Sequence, residues 1–310
     1  MNKALKTISI IAVIVLAVGI GLSILGFVLG GANSIYLEKG KFRVINSMDE
    51  DEMDIIDETY SNVKNVKIDI DTFSKVVFKE GDSFSVKGRN LRVMGGIEAI
   101  QQGETLSIQN KNKGQIFLID FGFFNRIGIK NNEDLEITYP ANTTLNHVEV
   151  NIDLGDMEVI GLNAKKIDME LDMGNLNIKE SKADSISLDL NLGDCELRDT
   201  EFRDADISID TGNLKAFNFV SDGLEIVNSL GDVNIEGILN GKSEFDMDAG
   251  NIKLDLDQYE DDTSLSIESD LGTTVINGQK SGGSVENKIA GAKNSIKIVS
   301  DLGDIRINFK

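Results

Sequence analysis

Six glycines, Gly155, Gly174, Gly193, Gly212, Gly231 and Gly250, stand 19 residues apart. Gly272 and Gly303 continue the series at intervals of 22 and 31. The segments around them read DLGDMEV, DMGNLNI, NLGDCEL, DTGNLKA, SLGDVNI, DAGNIKL, DLGTTVI and DLGDIRI. A fixed period of this length marks a solenoid, in which each unit buries its apolar face only against its neighbours.

The period inside each unit is two. Before the glycines, Val148/Val150/Ile152, Ile167/Met169/Leu171 and Ile186/Leu188/Leu190 alternate apolar with polar; after them Met157/Val159, Leu176/Ile178 and Cys195/Leu197 do the same. Such alternation is that of half-buried strands. Each repeat reads as a strand, a tight glycine turn, a second strand and a return loop. Equivalent strands then stack in parallel about 4.8 Å apart. The expected fold is all-β, a parallel, β-helix-like solenoid of about eight coils with 19-residue repeats. Cys195 falls in the column of Met157, Leu176, Leu214 and Val233 and reads as a core residue.

Stacking also constrains the turns. A full column of aspartates about 4.8 Å apart would repel itself. The residue after each glycine instead runs Asp156, Asn175, Asp194, Asn213, Asp232, Asn251. Two coils carry a carboxylate on both sides of the turn, Asp153/Asp156 and Asp301/Asp304, and both read as end coils. One reading is a hydrogen-bonded Asn/Asp ladder that stabilises the turns. The other is an acidic edge with calcium candidates Asp153, Asp156, Asp301 and Asp304.

The chain has 52 Asp and Glu against 31 Lys and Arg, a net charge of −21. No basic face for a nucleic acid is visible. One histidine, His147, and one cysteine leave no set for a zinc site, a Ser-His-Asp triad or an internal disulfide. No cofactor and no catalytic residue is expected.

From Ile8 to Gly31 no residue is charged. As a helix this run would span roughly 36 Å, enough for a hydrocarbon core of about 30 Å. The chain therefore divides into a short cytoplasmic tail (1–7), a transmembrane signal anchor (8–31), an acidic stalk (32–62), N-terminal strands and cap (63–143) and the repeat solenoid (144–310). A cleaved signal peptide is the alternative for the apolar run. Lys3 and Lys6 before it are balanced by Lys39, Lys41 and Arg43 after it, so charge bias does not orient the span. The layout of a short basic N-terminus, one span and a large domain places that domain outside the cell. Gly26 and Gly30 form a GxxxG pair, either tolerated in lipid or able to bring two helices together.

Phe117, Ile119, Phe121 and Phe123 alternate along one apolar segment. They read as a cap over the first coil or as an exposed patch for a partner or the outer leaflet. The final strand, Ile305–Phe309, reads as the open end of the solenoid. Charge at Asp301, Asp304, Arg306 and Lys310 would blunt that edge. Coverage by the Ser281–Ala292 insertion or pairing with a second copy are the alternatives.

The glycine-marked strand pairs, the run from Leu135 to Asp156 with Pro140 closing a strand, and the final SDLGDIRINF resemble the LiaG-like putative-adhesin family. The resemblance covers about residues 63 to 310. It implies a membrane-anchored, extracytoplasmic β-solenoid of the bacterial envelope, and it brings no established catalytic residues. Three functions follow as expectations. The first is a non-enzymatic module that binds a cell-wall or protein partner. The second is an envelope-stress sensor or regulator. The third is an enzyme acting on polysaccharide, which would need two suitably spaced carboxylates.

Overall fold

A computed structural model describes Gly19 and residues 34–38, 41–45, 53–91, 96–111, 117–120 and 134–310. Apart from Gly19, the run Ile8–Gly31 lies outside these residues, as do Gly26 and Gly30. Among the described residues no helix is long and apolar enough to cross a membrane. The chain forms two units. In the smaller, Ser34–Glu38 pairs antiparallel with both Lys41–Ile45 and Phe117–Asp120.

The larger unit is a stack of parallel strand pairs. Leu145–Ile160 forms the Gly155 level, and Asn163–Met173 with Leu176–Lys179 forms the Gly174 level. The two pair in register from Leu145↔Ala164 to Ile160↔Lys179. The same registration repeats upward through the Gly193, Gly212, Gly231 and Gly250 levels. Period two therefore builds continuous inward columns. One runs Met157, Leu176, Cys195, Leu214, Val233, Ile252 and another Val159, Ile178, Leu197, Ala216, Ile235, Leu254, all buried. The return expected after each second strand is a tight corner, turning at Gly161, Glu180, Asp199 and Asn218 with φ of 77°, 50°, 55° and 51°. Asn218 Nδ2 donates to Asp199 Oδ1 at 2.7 Å there.

Chain order and spatial order part company at both ends. Asn294–Leu302 and Ile305–Phe309, the last strands of the chain, do not end the stack. They pair on one side with the Gly250 level (Ser243↔Ile296, Ile252↔Ile305) and on the other with the Gly272 level (Leu265↔Ile296, Thr274↔Ile305). The Gly303 level thus lies between those of Gly250 and Gly272. Ile305–Phe309 is an interior strand and Ile307 is wholly buried, which corrects the expectation of an open end there. Gln279–Ser281 and Ser284–Asn287 instead fold back antiparallel on Thr274–Ile276 and Thr263–Leu271.

The other end mirrors this. Asn65–Gly81 lies against the Gly155 level, and Thr105–Gln109 and Asp134–Pro140 stack parallel beyond it. Glu98–Gln102 and Phe84–Leu91 then pair antiparallel with these two strands. Antiparallel strands thus cover both parallel ends, a direct answer to the unpaired groups of an edge. Part of the expected acidic stalk belongs to this covering. Met53–Tyr60 is a strand joined to the same sheet, and Ile56 is buried in the core. Ile56 supplies the buried anchor and Tyr60 packs against the core, while Ile55, Asp57 and Glu58 stay exposed.

Candidate functional site

The edge where each level makes its glycine turn is built from three parallel columns. The central column is glycine itself. Backbone conformation is one demand for it: φ runs from 150° to 156° at Gly174, Gly193, Gly212, Gly231, Gly250 and Gly303, positive values that L side chains rarely adopt. Close approach is the stronger constraint. A Cβ at Gly193 would stand 1.9 Å from Gly174 O, and at Gly212 1.8 Å from Gly193 O. Gly272 lacks a positive φ, yet its Cβ would also fall 1.9 Å from Gly303 O.

Next to glycine runs the Asn/Asp ladder. Asp156 Oδ1 accepts from Asn175 N at 2.8 Å and Asn175 Nδ2 at 3.0 Å. Asn175 Oδ1 accepts from Asp194 N at 3.0 Å, and Asp194 Oδ1 accepts from the backbone N and Nδ2 of Asn213. The pattern continues through Asp232 and Asn251 to Asp304 and ends on Thr273 N. In spatial order the column reads Asp156, Asn175, Asp194, Asn213, Asp232, Asn251, Asp304, Thr273. Placing the Gly303 level before that of Gly272 completes an alternation that chain order breaks.

The residue before each glycine forms the third column: Leu154, Met173, Leu192, Thr211, Leu230, Ala249, Leu302 and Leu271. Its six large apolar members are 46–66% exposed. They make a single-file apolar ridge along the eight levels. The strand residues just before the ridge are Asp153, Asp172, Asn191, Asp210, Ser229, Asp248, Asp301 and Asp270 in spatial order. Asn191 Nδ2 donates to Asp172 Oδ1 at 2.7 Å. The ridge thus runs between six aspartates on one flank and four on the ladder flank.

The calcium candidates do not meet. Asp153 and Asp156 belong to the Gly155 level; Asp301 and Asp304 belong to the Gly303 level, which is interior rather than an end. Oδ1 of Asp156 and of Asp304 already accepts amide hydrogens. Among the described residues no group of three or more His, Cys, Asp or Glu could hold a metal ion. Phe117 and Ile119 lie on a strand of the small unit, their side chains outside the described set, and Phe121 and Phe123 fall outside it altogether. Cys195 is buried in its core column, where burial, with smaller contributions from Asp194 and Glu196, pushes the thiol up to about 12. His147 Nε2 lies 2.6 Å from Asp168 Oδ2 on the face before the ridge. Sequence reading missed the ridge, although its signal is the letter before each glycine.

The family model described as Toastrack DUF4097 matches residues 65–308. No curated protein matches the chain. A solved structure similar to it is that of a putative adhesin from Bacteroides fragilis NCTC 9343. The identity is 13%, with 84% of this chain and 98% of that one covered and a TM-score of 0.48. A putative adhesin from Parabacteroides distasonis ATCC 8503 is similar at 12% identity, covering 82% of this chain and 97% of that one, with a TM-score of 0.43. A putative lipid binding protein from the same organism is similar at 11% identity, covering 84% and 95%, with a TM-score of 0.44.

Proposed function

The chain belongs to the Toastrack DUF4097 family, and on that footing we propose that it is a non-enzymatic binding module of the bacterial envelope. In this reading the apolar run Ile8–Gly31 tethers it to the membrane, and the solenoid stands outside and engages a surface or partner. The apolar ridge carries the proposal. Exposed leucine or methionine at equivalent positions on six of the eight levels, with Thr211 and Ala249 between them, forms an aligned apolar row, and exposed apolar features mark interaction sites. The backbone beneath is held by the ladder, so the ridge is preorganised and loses little freedom on binding.

The test uses the full-length chain, its apolar run shielded in nanodiscs, and isolated bacterial envelopes. Wild type should sediment with the envelopes and release no reducing sugar. Leu192→Ser/Leu230→Ser should stay in the supernatant at an unchanged melting temperature. Equal retention of the two forms, or release of sugar by the wild type, would overturn the reading. Protease added to intact protoplasts should remove the solenoid; protection until lysis would reverse the topology.

A further inference from the structure

We propose that the partner docked on this edge is a cationic amphipathic helix, an inference that rests on the binding-module reading. Three features of the edge point to it. The first is that backbone is already in use. Gly174 N donates to Leu192 O and Gly193 N to Thr211 O, each at 3.0 Å, so a partner cannot add itself here as a strand. Recognition falls to side chains, as when an amphipathic helix docks through its apolar face.

The second is shape. Seven steps of about 4.8 Å give an edge of roughly 34 Å, the length of about 22 helical residues. The rows of side chains on a helix leave grooves between them that can receive a ridge, and the helical pitch of about 5.4 Å is close to the level spacing.

The third is charge. Neither flank of the ridge carries a lysine or arginine at these levels. On the face before the turn, the row nearest the ridge adds exposed Glu170, Asp189, Asp246 and Glu268, with Lys166, Lys242 and Lys297 farther from it; on the face after the turn, the nearest row mixes exposed Lys215, Lys253 and Arg306 with the half-buried Glu158 and Glu196. A helix whose apolar stripe is bordered by Lys or Arg would satisfy both flanks and lean toward the preceding face. A second copy of this chain would bring its own aspartates against these, and an anionic lipid surface would be repelled.

The probe is a labelled synthetic 22-residue helix with leucine at i, i+3, i+4 and i+7 and lysine beside the stripe. The full-length chain is held in nanodiscs of zwitterionic lipid, with empty nanodiscs as the blank. Anisotropy should show saturable binding that weakens as salt rises. Glutamate in place of the lysines, or Leu192→Ser/Leu230→Ser in the chain, should each weaken it by about tenfold or more. A scrambled lysine peptide that binds equally well would reduce the interaction to charge and overturn the proposal. So would ridge-dependent binding to anionic vesicles, or ridge-dependent self-association, in place of peptide binding. Should the peptide fail while envelope retention still depends on the ridge, the partner class falls and the binding module stands. Loss of both removes both.

Discussion

At Gly193 a single methyl group decides whether two levels can meet. Its Cβ would lie 1.9 Å from Gly174 O, so Gly193→Ala must push the levels apart and should cost more than about 3 kcal/mol. Gly103 gives the contrast: at φ 62°, a Cβ there would have no atom within 4 Å. Gly103→Ala meets only backbone strain, of about 1–2 kcal/mol. Urea midpoints for the two variants separate the causes, and equal losses would show that close approach is not the constraint. The ladder makes its own prediction. Asn175 and Asn213 each donate Nδ2 to the aspartate of the neighbouring level, at 3.0 and 2.9 Å. Asn175→Asp/Asn213→Asp removes both donors and leaves five carboxylates in consecutive positions. A loss of about 1–3 kcal/mol at low salt is expected, partly relieved by added salt. Wild-type melting at low salt would contradict it.

Strands hold together through columns and through ion pairs that bridge levels. Thr274 ends an otherwise apolar column, wholly buried beside Ile305, and its Oγ1 has no hydrogen-bond partner. Thr274→Val replaces the orphan hydroxyl with a methyl of similar size and should raise stability by about 1 kcal/mol. A lower melting temperature would mean that the hydroxyl is satisfied in solution. Glu158 joins three levels, accepting from Lys179 at 2.8 Å and Lys75 at 2.5 Å. These hydrogen bonds, Lys179 first, hold its carboxyl below the usual glutamate range. The folded-state value is lower than the unfolded one. The bridge's stability is therefore fully present above the ordinary glutamate range and is lost as pH falls through the lowered value. Glu158→Gln should flatten the acid limb of melting temperature against pH, and parallel curves would rule the bridge out as a source of acid sensitivity.

At the scale of the whole molecule, the parallel solenoid and its core columns were legible because both are written in local periods of 19 and two. Cys195 sits in the column its spacing assigns. The ridge was hidden by the same rule. Leu154 shares the parity of Ile152, so alternation places it inside, and only the irregularity at the glycine turn, between Leu154 and Asp156, swings it out. The order of the last levels was hidden for another reason. Ile305 and Ile307 look like any inward pair, and nothing local distinguishes an interior level from a terminal one. The 31-residue interval before Gly303 holds the folded-back strands that allow the chain to return between the Gly250 and Gly272 levels. Deleting residues 294–310 should therefore open a gap inside the stack and abolish cooperative melting, whereas trimming a terminal coil would only lower the midpoint. The continuity of ridge and ladder rests on this order, and cysteine crosslinking reads it directly. Neighbouring levels about 4.8 Å apart fall within disulfide reach, and levels about 9.6 Å apart do not. Cys195, buried and hard to ionise, does not compete. Ala249→Cys/Leu302→Cys should oxidise to an intramolecular disulfide while Ala249→Cys/Leu271→Cys stays reduced; the reverse outcome would restore chain order and break the edge on which the binding account stands.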